Sequence, residues 1–90
     1  MERSAFYDAV RKDLLSYLPV GFQGYQVWIR EVDTSEGKQA DICIYNHENS
    51  AMPFLNVEAY YRQVANGADL QGVLIDMAVA YAKKMSLCRE

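Results

Sequence analysis

His47 is the only imidazole available for general-base work in this chain of 90 residues. A Ser-His-Asp or Cys-His arrangement would have to use it. It stands in the polar run His47-Glu48-Asn49-Ser50 with no motif around a nucleophile, which reads as a surface turn. An enzyme centred on His47 and Glu48 would be silenced by His47→Ala, but no substrate is indicated. Paired carboxylates are the other acid–base option. Glu31 and Asp33 are two apart, on one side of a strand that extends so far, with Glu36 and Asp41 nearby. The plainer reading is a charged hairpin that resists edge-to-edge aggregation. Cys43 and Cys88 form no Cys-x-x-Cys pair, so no zinc site is expected. Gly21, Gly24, Gly37, Gly67 and Gly72 match no phosphate-binding spacing. The chain is therefore expected to have no catalytic residue, no metal and no cofactor.

The elements that would position these groups are legible from periodicity. Residues 4–18 read as a helix capped by Ser4, with Tyr7, Val10, Leu14, Tyr17 and Leu18 on one face and Pro19 and Gly21 ending it. Residues 25–33 alternate as a strand, and Ser35-Glu36-Gly37-Lys38 is a turn signal. Residues 40–46 form the return strand of an antiparallel hairpin. Its inner face should carry Tyr25, Val27, Ile29, Ile42 and Ile44. Met52 to Leu55 is a short third strand, with Pro53 favouring an edge. Asn56 caps a helix from Val57 to Ala65, which Asn66-Gly67 closes. Asp69 caps the longest helix, Leu70 to Leu87, whose stripe is Leu70, Val73, Leu74, Met77, Tyr81 and Met85. Ile75 and Val79 widen that stripe, which suggests a central helix. Gly72 inside it suggests close packing against a neighbour, and Lys83, Lys84 and Arg89 suit the dipole at its end. The order α-β-β-β-α-α predicts one α+β domain, a three-stranded antiparallel sheet with helices on one face.

Charge bounds the partners. Hydrophobic residues at 51% and charged residues at 23% describe a globular chain, with a net charge of −3. The nine Lys and Arg are dispersed, so direct nucleic-acid binding is not expected. No run is apolar enough for a bilayer or a signal peptide, which points to the cytoplasm and no membrane partner. Residues 31–48 carry Glu31, Asp33, Glu36, Asp41 and Glu48 against Lys38 alone. Such an acidic hairpin would be drawn to basic surfaces and could imitate phosphate spacing. Trp28 falls on the hairpin face shared with Arg30, Asp41, Cys43 and Tyr45. That composition suits interface anchors, or a helix covers the face and Trp28 is core. Tyr60 and Tyr61 point about 100° apart, so one is expected buried and one exposed.

Leu18-Pro19, Val27-Trp28-Ile29-Arg30-Glu31-Val32, Tyr45-Asn46, Pro53-Phe54-Leu55-Asn56 with Tyr60-Tyr61, Gly67-Ala68-Asp69-Leu70-Gln71-Gly72-Val73-Leu74 and Ala80-Tyr81 span most of the chain. Together they resemble the N-terminal region of a bacterial family of unknown function found in anaerobic gut-type bacteria and their mobile elements. Members of that family usually carry a second region after this one. The resemblance implies no catalytic residues. A free-standing module of mobile-element origin suggests, by class analogy, an inhibitor of a host-defence nuclease of the anti-CRISPR kind.

The expected function is a non-enzymatic protein-binding module, an inhibitor of a basic nucleic-acid-binding protein. Glu31, Asp33, Glu36 and Asp41 would supply charge, and Trp28, Arg30 and Tyr45 would be contacts. The alternative is a homodimeric structural or regulatory domain, joined through the long helix or a sheet edge.

Overall fold

A computed structural model describes residues 1–18, 24–46 and 53–88, with side chains as far as Ser86. Helix α1 (Arg3–Asp13) runs into a 3-10 turn (Leu14–Tyr17). Strands β1 (Gln26–Thr34), β2 (Gly37–Tyr45) and β3 (Phe54–Asn56) follow, then helices α2 (Glu58–Ala65) and α3 (Leu70–Cys88). The sheet is antiparallel in the order β1-β2-β3. The α+β class and the α-β-β-β-α-α order are those the sequence predicts.

The hairpin ladder is continuous from Gln26↔Tyr45 to Thr34↔Gly37, leaving Ser35 and Glu36 as the turn. Lys38 and Gln39, expected in the turn and the connection, are paired instead. The Thr34 hydroxyl explains the tight closure: it accepts the Glu36 N–H (3.2 Å) and donates to the Gly37 carbonyl (2.8 Å). Gly37 adopts φ +112°, open to glycine at little steric cost.

Alternation sends Val27, Ile29, Ala40, Ile42, Ile44 and Leu55 to one face, and the helices pack there. Phe6, Val10 and Leu14 recur every fourth residue and are fully buried. Each contributes about 1.5–3 kcal/mol through the apolar area it hides. Phe6 was absent from the expected stripe, and Tyr17 is only half-buried. The helix starts at Arg3 with Glu2 as its N-cap residue, so Ser4 lies inside it and is no cap.

The other helix boundaries follow local chemistry. Asn56 Oδ1 accepts the Glu58 N–H at 3.1 Å, as expected of a cap, although Asn56 itself ends β3. At the far end of α2, Gly67 N–H bonds to Val64 O and Ala68 N–H to Gln63 O (3.0 and 2.9 Å), the paired bonds of a Schellman motif. Gly67 sits at φ +100° to make them. Asp69 Oδ2 accepts the Gly72 N–H (3.0 Å) and caps α3. A Cβ on Gly72 would meet that same Oδ2 at 3.4 Å and no neighbouring element, so close helix packing does not account for this glycine.

Helix α3 buries Val73, Leu74, Met77, Ala78, Tyr81 and Met85. Ile75 and Val79 are exposed (41% and 62%), so α3 is covered on one side and is not a central helix. Tyr81 is fully buried, and its hydroxyl accepts the Ile44 N–H (3.0 Å) and donates to the Pro53 carbonyl (2.8 Å). The register of β2 with β3 places Ile44 opposite Pro53, one step beyond Cys43↔Phe54. The Tyr81 hydroxyl thus bridges the ladder where Pro53 has no N–H to offer.

Candidate partner-binding face of the sheet

The second face of the sheet carries Gln26, Trp28, Arg30, Gln39, Asp41, Cys43, Tyr45, Phe54 and Asn56. Register sets them in rows across the strands: Gln26–Tyr45, Trp28–Cys43–Phe54 and Arg30–Asp41–Asn56. The helices occupy the other face, and Trp28 is 51% exposed. The alternative of a helix-covered, core Trp28 is therefore overturned.

Cys43, between Trp28 and Phe54, is small. The side chains of β1 lean across it toward β3. The Trp28 and Phe54 rings meet at 5.7 Å and 58°. The Arg30 guanidinium lies 3.9 Å from the Phe54 centroid, within cation–π range, and Nη2 bonds to Asp41 Oδ2 at 3.0 Å. The Tyr45 hydroxyl donates to Gln26 Oε1 (3.2 Å), and Asn56 Nδ2 donates to Gln39 Oε1 (2.8 Å). An open hollow of about 410 Å³ remains, lined by Trp28, Cys43, Tyr45 and Phe54. The Cys43 thiol forms part of its lining. Burial pushes its pKa above the ordinary thiol value, against smaller lowering contributions from Tyr81 and Arg30.

The acidic residues divide. Asp41 belongs to this face, largely screened by Arg30, and is not part of the projecting tip. Glu31 lies 3.7 Å from Lys38. Asp33 and Glu36 have no salt bridge among the described residues and stand exposed at the hairpin end. Residues 30–41 carry Arg30 and Lys38 against four carboxylates, so the hairpin itself is less acidic than the 31–48 window suggests. His47 and Glu48 lie outside the described residues. Among those described, no group of three His, Cys, Asp or Glu side chains could hold a metal ion.

Sequence reasoning missed two features. Phe54 completes the aromatic row, but its place depends on the offset of β3 against β2, which no local pattern encodes. The other is a buried ion pair: Glu58, 5% exposed, takes a bidentate contact from Arg3, with Nη1 to Oε1 at 2.8 Å and Nη2 to Oε2. Arg3 also donates to the Tyr7 hydroxyl (3.3 Å) and lies 4.6 Å from the Tyr61 ring centroid. The Arg3 hydrogen bond holds the Glu58 carboxyl below its usual pKa despite burial, and Glu58 in turn raises that of Arg3. Among the described residues no buried side-chain polar atom lacks a hydrogen-bond partner, so the pair reads as a staple between α1 and α2.

Among the described residues no helix is long and apolar enough to cross a membrane. No protein-family model, curated protein or solved structure matches the chain.

Proposed function

We infer that this chain is a non-enzymatic protein-binding module that engages its partner through the outer sheet face. The observation that carries this reading is the half-exposed Trp28, its ring tilted against Phe54 beside an apolar hollow, on a face no described helix covers. Trp, Tyr and Arg are the side chains that most often dominate binding energy. Arg30 is held by Asp41 and Phe54, so little side-chain freedom remains to be lost on association. Tyr45, Gln26, Gln39 and Asn56 supply polar groups around the aromatic centre.

Asp33 and Glu36 at the hairpin end would attract a basic partner over long range. A partner with a basic nucleic-acid-binding surface, occupied by this chain as an inhibitor, fits that charge and the resemblance to a mobile-element family. Asp41 is reassigned in this scheme from charge donor to positioning group for Arg30.

Affinity capture from a bacterial lysate, with and without added nuclease, tests the reading when wild type is compared with two variants. Trp28→Ala should abolish capture of the protein partner at all salt concentrations. Asp33→Lys with Glu36→Lys should weaken capture and flatten its salt dependence. Capture untouched by Trp28→Ala, or captured material that disappears with nuclease, would sink the proposal.

A further inference from the structure

Helix α3 carries apolar side chains on the side turned away from the core. Ile75 and Val79 are about one turn apart and Ala82 follows three residues later, a run that shares one side of the helix. Val79 is the most exposed large apolar side chain among the described residues (62%), and Ile75 is exposed beside it. The opposite side of α3 is already committed to the core through Leu74, Met77, Ala78 and Tyr81. A helix that is apolar all round is normally covered all round.

The charges beside this run point to a second copy of α3. Asp76 and Lys83 are seven residues apart, two turns, so they lie in line along one margin of the run. Both are exposed, and neither makes an ion pair among the described residues. They stand at nearly equal distances from Val79, three residues before it and four after. When two copies of α3 meet antiparallel about a two-fold axis beside Val79, Asp76 of each comes level with Lys83 of the other, twice by symmetry. Val79 meets its own counterpart, and the Lys83 stem of each copy lies along Ile75 of the other. A parallel pairing sets Asp76 against Asp76 and Lys83 against Lys83, which is unfavourable. An unrelated partner has no need of opposite charges balanced about the centre of the patch, whereas a two-fold contact requires a surface that complements itself. We propose that the chain forms an antiparallel two-fold dimer through α3, with Ile75, Val79 and Ala82 at the seam and Asp76–Lys83 pairs at its margin. Helix α3 packs on the inner face of the sheet, so the dimer leaves the Trp28 face open. The proposal uses none of the residues of the partner-binding reading and stands independently of it.

Light scattering on the full chain should show a mass rising from 10.3 kDa toward twice that value. A single helix–helix contact is smaller than a standard interface, so the rise is expected as the concentration approaches about 1 mM. Asp76→Lys and Lys83→Asp should each raise the dimer dissociation constant about tenfold, because each turns two attractions into two repulsions. The double variant exchanges the charges and should restore the wild-type constant. Val79→Gln alters an exposed side chain, so it should keep the fold and stay monomeric. If these variants do not fold, hydroxyl-radical footprinting of the wild type decides alone. Ile75 and Val79 should lose labelling on concentrating and regain it on dilution, while Trp28 keeps it throughout. A strict monomer at millimolar concentration overturns the proposal. So does a dimer indifferent to both single reversals, one that the double exchange fails to restore, or one in which Trp28 rather than Val79 loses labelling.

Discussion

Glu58 and Tyr81 show how single polar groups organise this small core. Glu58→Gln keeps the volume of the side chain but removes the charge that satisfies Arg3. Because Arg3 remains 30% exposed, the expected cost is about 2 kcal/mol, below that of breaking a fully buried pair. The folded-state pKa of Glu58 is depressed, so its contribution is present above the unfolded value and lost as pH falls through the folded one. Urea titrations below about pH 4.3, the ordinary glutamate value, should show wild-type stability declining more steeply than that of Glu58→Gln. Tyr81→Phe deletes one hydroxyl and strands the Ile44 N–H and the Pro53 carbonyl. Its expected cost is about 1–3 kcal/mol, measurable as a lower denaturation midpoint with an unchanged slope.

Elements are set largely by their ends. Asp69→Ala removes the α3 cap and should cost about 1 kcal/mol. Gly72→Ala lies in the same first turn, where the added methyl would touch only the Asp69 carboxylate. It should be neutral or stabilising by up to about 1 kcal/mol, since glycine gains nothing there from its conformational freedom. Thermal melts should therefore fall for Asp69→Ala and hold or rise for Gly72→Ala, by about 4–8 °C per kcal/mol for a domain of this size. A marked loss of stability in Gly72→Ala would show that something beyond Asp69 approaches α3 at this point. The hairpin obeys the same logic, with Thr34 and Gly37 closing it more tightly than the turn residues alone suggest.

At the scale of the whole molecule, one face of the sheet holds the helices and the other holds Trp28, Phe54, Arg30 and Tyr45. On the proposed reading, stability and binding are thereby assigned to opposite faces. Trp28→Ala removes a half-exposed ring whose described aromatic neighbour is the tilted Phe54 ring, so it should cost less than about 1.5 kcal/mol of folding stability. At a binding centre the same truncation is expected to cost 2 kcal/mol or more, roughly a thirty-fold loss of affinity. Parallel measurement of melting and partner affinity separates these effects. A variant that loses both in proportion would mean that the tryptophan is structural.

Much of the fold follows from local pattern. Alternation in residues 25–33 and 40–46, the capping residues Asn56 and Asp69, and Gly67 with its positive φ are short-range signals. They are sufficient for an α+β chain with a three-stranded sheet. The same alternation placed Trp28, Arg30, Asp41 and Tyr45 on one side of the hairpin. It also assigned Tyr25, Val27, Ile29, Ile42 and Ile44 to the inner face, but it left open whether a helix covers the Trp28 face as well, because that face too carries large apolar groups. Tertiary structure decided that question by packing Phe6, Val10, Leu14 and α3 against Ile42 and Ile44. It also brought Phe54 beside Trp28, drew Asp41 to Arg30, joined Arg3 to Glu58 across 55 residues, and left Ile75 and Val79 in solvent. Each of these depends on register or on contact between distant segments, which the spacing of neighbouring residues does not encode.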